Sequence, residues 1–245
     1  MNIIFPIAGP KLVFTDGFGN EYCKPLIEVN GKPLIEFLFS TVNASLPGKN
    51  NYIFVVNQSD CSKFSLDSVI KLLSDTAQIV MLRQFTQGSL CSCLMALGHI
   101  KTDEELLIVN GDQVIEHSLD KILAYFREKN ADGGLVTFDS IHPKWSYVKC
   151  EFADIVIETS EKKPISRNAS TGIYYFKRAG DFIDAAKNVI RKDANINGYF
   201  YVTSTYNEMI LKNKLIIHYK IPNEEFFALD TPETVESFVR HLKKV

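Results

Sequence analysis

Cysteine is sparse and poorly spaced for any structural use. The 245 residues contain 5, at Cys23, Cys61, Cys91, Cys93 and Cys150, with no CxxC among them. An odd count at these spacings excludes a disulfide framework and a paired-CxxC zinc site, and it points to a reducing compartment. Cys91 and Cys93 lie two apart in an apolar run, where burial accounts for them. The 5 histidines, His99, His117, His142, His218 and His241, show no ligand spacing either. Neither sign of charge is in excess, since 27 Lys+Arg against 29 Asp+Glu leave −2. A chain so balanced has no electrostatic footprint for nucleic acid.

Long apolar runs are missing as well. None approaches the ~20 residues that span a bilayer. The opening MNIIFPIAG has neither the basic stretch nor the long apolar core of a secretory signal. The expectation is a cytoplasmic protein with no nucleic-acid or membrane partner. Pro/Ser-rich linkers, low-complexity tracts and internal repeats are absent, so residues 1–245 read as a single domain. What is present, 46% hydrophobic against 23% charged residues, suffices for a core without staples.

Through the first half, short apolar runs alternate with segments of helical period. Asn2–Ile7, Tyr52–Val56, Ile79–Leu82 and Leu106–Val109 read as buried strands. Leu34–Val42, Leu66–Leu73, Leu90–Ile100 and Leu119–Lys129 read as helices. That alternation predicts right-handed crossovers and a doubly wound, mainly parallel sheet. After Gly133-Gly134 the strands crowd together at Leu135–Phe138, Tyr147–Cys150, Ile155–Ile157 and Thr171–Phe176. Helices follow at Ala179–Arg191 and Val202–Lys212, then a strand at Leu215–Tyr219 and a helix at Pro232–Leu242. The chain thus divides in character into halves of about 1–132 and 133–245.

Ligands of a doubly wound sheet bind at the C-terminal ends of its strands. Four segments fall there. Ala8-Gly9-Pro10-Lys11 follows the first strand, and its small residues let backbone N–H groups approach phosphate while Lys11 adds charge. A glycine at a strand turn is equally common without any ligand. Lys24 to Pro33 holds an Asn30-Gly31 turn and a proline suited to open the next helix, with Lys24 close enough to serve the same phosphates. In LLIVNGDQ, residues 106–113, an apolar strand delivers Asp112 to its end, either to a hard cation bridging phosphates or as a plain turn residue. In FALDTPE, residues 227–233, Asp230 or Thr231 caps a helix opened by Pro232, or Asp230 gives that cation a second carboxylate.

Taken in order, AG, KPLIEVNGKPLIE, QGSLCSCLMA, LLIVNGDQ, EKKPISRNASTGIYYF and ALDTPETVESF resemble the sugar-phosphate nucleotidyltransferase family over nearly the whole chain. The resemblance implies a Rossmann-like (glycosyltransferase-A-like) α/β fold with a doubly wound, mixed, mainly parallel sheet. It also implies Mg²⁺-dependent transfer of a nucleoside monophosphate from an NTP to a phosphorylated metabolite, with release of pyrophosphate. The N-terminal half would bind the nucleotide through Ala8, Gly9, Lys11, Lys24, Gln84, Gly88, Ser89 and Asp112. The C-terminal half would bind the acceptor, through Tyr147, Glu161 and Lys162 together with Asn110. Lys24 and Lys162 would be the catalytic lysines, and Asp112 and Asp230 the metal ligands. Of the aromatic runs, HPKWSY (142–147) reads evenly as packing or pocket wall, and GYFY (198–201) reads better as core or a subunit interface. Such surface aromatics permit a homodimer.

Further, HPKWSYVK, ASTGIYYF and FYVTSTYNEMI are similar to cytidylyltransferases of bacterial capsule and surface-polysaccharide pathways, including a type that activates phosphoglutamine. That favours CTP as donor, with a sugar 1-phosphate or a phosphoamino acid as acceptor. Two alternatives stand beside it: a catalytically weakened nucleotide-binding or regulatory relative, and a nucleotide-sugar-dependent glycosyltransferase. The second would want a DxD-like pair, where Asn110-Gly111-Asp112 offers one carboxylate.

The departure from the family lies in its signature loop, Gly-x-Gly-x-Arg, which here reads Gly9-Pro10-Lys11-Leu12-Val13-Phe14. The second glycine and the arginine are gone, and Pro10 removes a backbone donor. Either Lys11 substitutes or Gly17 and Gly19 form a displaced cradle. A charge-assisted contact is worth roughly 1.5–3 kcal/mol. Lys11→Ala should therefore lower kcat/KM by about 10- to 150-fold, with Lys11→Arg retaining most activity. Kinetics of Lys11→Ala within about twofold of wild type would assign the cradle to Gly17 and Gly19 instead.

Overall fold

The structure, a computed structural model, describes residues 1–9, 13–15, 21–152 and 154–243. In chain order its elements are β1 (Asn2–Pro6), β2 (Val13–Thr15), β3 (Glu21–Cys23), β4 (Glu28–Val29), β5 (Lys32–Pro33) and α1 (Leu34–Ser45). Next come β6 (Asn51–Asn57), α2 (Gln58–Phe64), α3 (Leu66–Leu73), β7 (Gln78–Leu82), α4 (Ser89–Leu94), β8 (Leu106–Val109), β9 (Gln113–Ile115) and α5 (Leu119–Glu128). Then follow β10 (Gly133–Asp139), β11 (Ser146–Glu151), β12 (Ile155–Glu161), β13 (Asn168–Phe176) and α6 (Ala179–Arg191). The series ends with α7 (Ser204–Ile210), β14 (Ile216–Lys220), β15 (Phe226–Ala228) and α8 (Pro232–Leu242).

Nine strands form one sheet in the order β10-β14-β12-β11-β13-β8-β1-β6-β7. In it β8, β1, β6 and β7 are parallel, as the alternating pattern predicts. Their side chains divide between two cores. Ile3, Phe5, Tyr52, Phe54 and Val56 join Ile35, Phe39, Ile70 and Phe126 of α1, α3 and α5. Ile4, Ile53, Val55 and Ile108 join Leu90, Phe182 and Tyr206 of α4, α6 and α7. A strand covered on both faces needs a run with no polar side, and these runs have none.

The second half corrects the expectation of a mainly parallel sheet. β13 runs antiparallel to β8, β10 and β11, and β12 antiparallel to β11 and β14. Within that half β10 and β14 alone are parallel. The sheet is mixed because the connections are short. Only residues 152–154 join β11 to β12, far fewer than a parallel crossover needs. The helix expected over 90–100 also divides, ending at Leu94 and resuming as a 3₁₀ turn at Leu97–His99.

A small ribbon beside the main sheet matters most for the site. After β8 the chain turns through Asn110-Gly111-Asp112 into β9, which pairs antiparallel with β15, Gln113 opposite Ala228. One step further on, the Leu229 N–H donates to the Asp112 carbonyl at 2.7 Å. The Leu229 side chain is fully buried with Val29, Leu34, Leu38, Val114, Val235 and Phe238, so α1 and α8 clamp the ribbon. Thr231 and Thr234 form a reciprocal capping box at the start of α8, with Pro232 in its first turn. Asp230 is thus fixed between a paired strand and a capped helix.

Phe238 anchors that clamp, 1% exposed and with its ring centroid 4.7 Å from Phe227 and 5.4 Å from Phe37. Phe238→Ala should lower unfolding free energy by about 3–5 kcal/mol in urea titrations. A loss under about 1 kcal/mol would mean the α8 contact contributes little to the ribbon.

Candidate active site

A cavity of about 590 Å³ opens at the C-terminal ends of β1 and β8. Of the residues singled out by sequence, it is lined by Ala8, Gly9, Gly88, Ser89, Asn110, Asp112, Glu161, Lys162 and Asp230. The volume falls in the range of small-ligand and cofactor sites. Lys11, Gly17 and Gly19 lie outside the described residues. Lys24 begins a 3₁₀ turn directly after β3 and sends its ammonium to Asp112 Oδ2 at 2.8 Å, with 18% of its side chain exposed.

Gly88 is required by geometry. Its φ is +101°, and a Cβ there would fall 2.3 Å from the Phe200 carbonyl oxygen. The approach comes from paired backbones: Leu90 N–H donates to Phe200 O, and Phe200 N–H donates to Gln87 O. Thr86 Oγ1 donates to Gly88 O at 3.1 Å and shares a hydrogen bond with Ser92. Gln84 is exposed and outside the cavity lining, where Phe85 and Thr86 stand instead.

On the opposite wall the strand period decides which side chains face in. Ser146 pairs with Glu161 across β11 and β12, and its hydroxyl donates to Glu161 Oε2. Tyr147, the next residue, therefore points to the other face. It is fully buried, donates its hydroxyl to His142 O, and does not line the cavity. Tyr199 and Tyr201 also line the cavity while Phe200 lies in the core, so the run expected to be core or a subunit interface supplies two wall residues. Lys162 ends β12 at φ +56°, with its N–H on Trp145 O and its ammonium 5.4 Å from the Tyr201 ring centroid. Contact with Tyr201 raises the Lys162 pKa. Asn110 and Gln113 converge on Gly172, where a Cβ would lie 1.8 Å from Gln113 Oε1.

Sequence reading missed Lys144. Its ammonium lies 2.8 Å from Asp230 Oδ2 and 4.4 Å from the Trp145 ring centroid. Nothing local in HPKWSY could reveal a partner 86 positions away. Burial pushes the Asp230 pKa up, but Lys144, and more distantly Lys24, outweigh it and leave the carboxyl below the usual range.

Mg²⁺ fits these residues. Asp112 and Asp230 line one cavity from adjacent positions on the ribbon. Asp230 Oδ1 is buried with no hydrogen-bond partner among the described residues, an open acceptor that a cation would satisfy. No cluster of three or more His, Cys, Asp or Glu among the described residues could hold a metal.

The family profile for nucleotidyl transferase matches residues 18–211. The chain belongs to the nucleotidyl transferase family. A search of curated proteins gave no match. Among solved structures, this nucleotidyl transferase resembles a nucleoside-diphosphate-sugar pyrophosphorylase from Vibrio cholerae RC9, with 24% identity and TM-score 0.82 over 98% of this chain and 100% of that one. It also resembles a UDP-glucose pyrophosphorylase complexed with UDP-glucose, with 15% identity and TM-score 0.75 over 99% and 98% of the two chains. At those identities the likeness establishes the α/β fold. No helix among the described residues is long and apolar enough to cross a membrane.

Glu161 gives the nucleotidyl transferase a pH signature. Burial raises its pKa, against the Ser146 hydroxyl and the Lys162 charge. A raised folded pKa means that ionisation works against the fold, so stability falls as pH climbs from about 4.3 towards the folded value and stays lower above it. Glu161→Gln should match wild type in Tm near pH 4 and exceed it at pH 7. An equal Tm difference at both pH values would contradict this.

Proposed function

We propose that the protein transfers the nucleoside monophosphate of an NTP to a phosphorylated small metabolite and releases pyrophosphate. The observation that carries this reading is the convergence on one cavity of the Lys24–Asp112 pair, Asp230, and the Glu161–Lys162 corner. An oxygen of the acceptor phosphate attacks the α-phosphorus, and the bond from that phosphorus to the β-phosphate bridge breaks. A phosphate monoester is already ionised, so no proton relay is needed and catalysis is positioning plus charge neutralisation. Lys24 neutralises the triphosphate. Lys162, oriented by the Tyr201 ring, holds the acceptor phosphate, and buried Glu161 accepts from its hydroxyl or amide groups. Asp112 and Asp230 would hold Mg²⁺, which supplies charge neutralisation at the α-phosphate and the leaving group.

In this reading the donor is CTP and the acceptor a sugar 1-phosphate or a phosphoamino acid such as phosphoglutamine, in a cytoplasmic step of capsule or surface-polysaccharide synthesis. The support is the similarity of HPKWSYVK, ASTGIYYF and FYVTSTYNEMI to cytidylyltransferases. All three segments contribute to the cavity wall, through Lys144–Ser146, Ser170–Tyr174 and Tyr201–Thr203.

The test is pyrophosphate release from each of the four NTPs against a panel of sugar 1-phosphates and phosphoamino acids. CTP with one acceptor should react, and excess chelator should abolish turnover. Turnover undiminished by chelator would remove Asp112 and Asp230 from the metal role. Lys24→Ala should lower turnover of the NTP and Lys162→Ala should raise the acceptor KM, each by about 10- to 150-fold. Equal effects of both variants on both substrates would break this division of labour.

A further inference from the structure

Among the described residues, Lys144 is the one cavity lysine to which the proposed chemistry gives no task, and its placement is unusual. Asp230 presents two oxygens. Oδ2 is held by the Lys144 ammonium at 2.8 Å, and Oδ1 is buried with no partner among the described residues. One oxygen of the carboxylate therefore already carries an internal cation. A divalent ion approaching Oδ2 competes with Lys144 for that oxygen. Asp112 likewise carries a cation, with Lys24 on its Oδ2 at 2.8 Å.

Lys144 also has somewhere to go. Its side chain is 41% exposed, and its ammonium already lies over the Trp145 ring at 4.4 Å. That ring is fixed edge-on against Phe138 and Phe226, and Phe226 begins the strand that leads to Asp230. An aromatic face offers an ammonium a favourable resting place without a counter-ion. Released there, Lys144 stays on the cavity wall and meets any polyphosphate beside the two aspartates.

We infer that Lys144 is an exchange residue: in the free protein it occupies Asp230 in place of a divalent cation, and on binding of a metal–pyrophosphate-bearing ligand it moves to that ligand's phosphates. The inference rests on the proposed reading of Asp112 and Asp230 as metal ligands. It makes the cavity weak towards a bare cation and strong towards a cation delivered with polyphosphate, because only the second gives Lys144 a new anionic partner. The exchange is a swap of ion pairs, Lys–Asp becoming Lys–phosphate and Asp–metal, so total charge in the cavity stays compensated throughout.

Two affinities of opposite sign test it, without turnover. Mn²⁺ binding to the nucleotide-free protein is read by electron paramagnetic resonance, and Mg²⁺–pyrophosphate binding by calorimetry. Lys144→Met should tighten Mn²⁺ binding about twofold to fivefold, the worth of an exposed ion pair. It should weaken Mg²⁺–pyrophosphate binding about tenfold. Lys144→Arg, which keeps the charge and the reach, should stay near wild type in both. Mn²⁺ binding by Lys144→Met no tighter than wild type, or pyrophosphate binding undiminished, overturns the exchange role. Asp230→Asn separates that failure from the underlying one: if it leaves Mn²⁺ binding unchanged, Asp230 is not a metal ligand and both readings fall.

Discussion

Two carboxylates line one cavity, each already paired with a lysine, and most of the site's construction serves that arrangement. The β9–β15 ribbon brings Asp112 and Asp230 to the same cavity, through the strand pairing and the Leu229–Asp112 backbone bond. Leu229, Val114 and Phe238 supply the buried apolar contact that anchors the ribbon. Lys24 and Lys144 then supply one cation for each carboxylate. In the proposed reading, substrate and metal do not have to create a charge-balanced site; they exchange partners within one.

The neutral wall of the cavity is built by a different device. Gly88 and Phe200 bring two backbones into contact, so the turn before α4 and the segment before α7 are paired through their main chains. That joins the loop carrying Ser89 to the run carrying Tyr199 and Tyr201, and through Tyr201 to Lys162. A side chain at position 88 would part them, since the obstacle is a backbone carbonyl that cannot rotate away. In the proposed reading the donor and acceptor sides of the cavity therefore share one backbone-paired edge, which suits a reaction that depends on in-line placement of two phosphates.

Much of this was legible in the sequence. The buried strands β1, β6 and β8 announce themselves as unbroken apolar runs, and α3, α6 and α8 begin and end where their periodicity predicts. Asp112 could be named because it follows an apolar strand run and precedes a turn, and Asp230 because it stands just before a helix start. Residue type does not place Tyr147: on a strand one residue of offset reverses inside and outside. Ser146, not Tyr147, faces the cavity. Tyr199 and Tyr201 line it from an irregular segment, where no sequence period applies. The ribbon was unreadable for another reason. Three-residue strands are too short to show a period, and their pairing joins positions far apart in the chain.

The loop before β11 connects the two lysines of the cavity wall. Tyr147 turns away from the cavity and donates its hydroxyl to His142 O, and Trp145 N–H donates to the same carbonyl. These bonds shape the loop that presents Lys144. The next contact of that loop is Trp145 O, which accepts from the N–H of Lys162 at 2.9 Å. Lys162 is held in the left-handed region at φ +56°, a conformation that a lysine adopts only when its surroundings fix it. The residue that opposes Asp230 and the residue that faces the acceptor are thus two ends of one hydrogen-bonded corner. The two lysines are therefore positioned by one short loop, whose Trp145 carbonyl fixes the backbone of Lys162 next to the residue that pairs with Asp230.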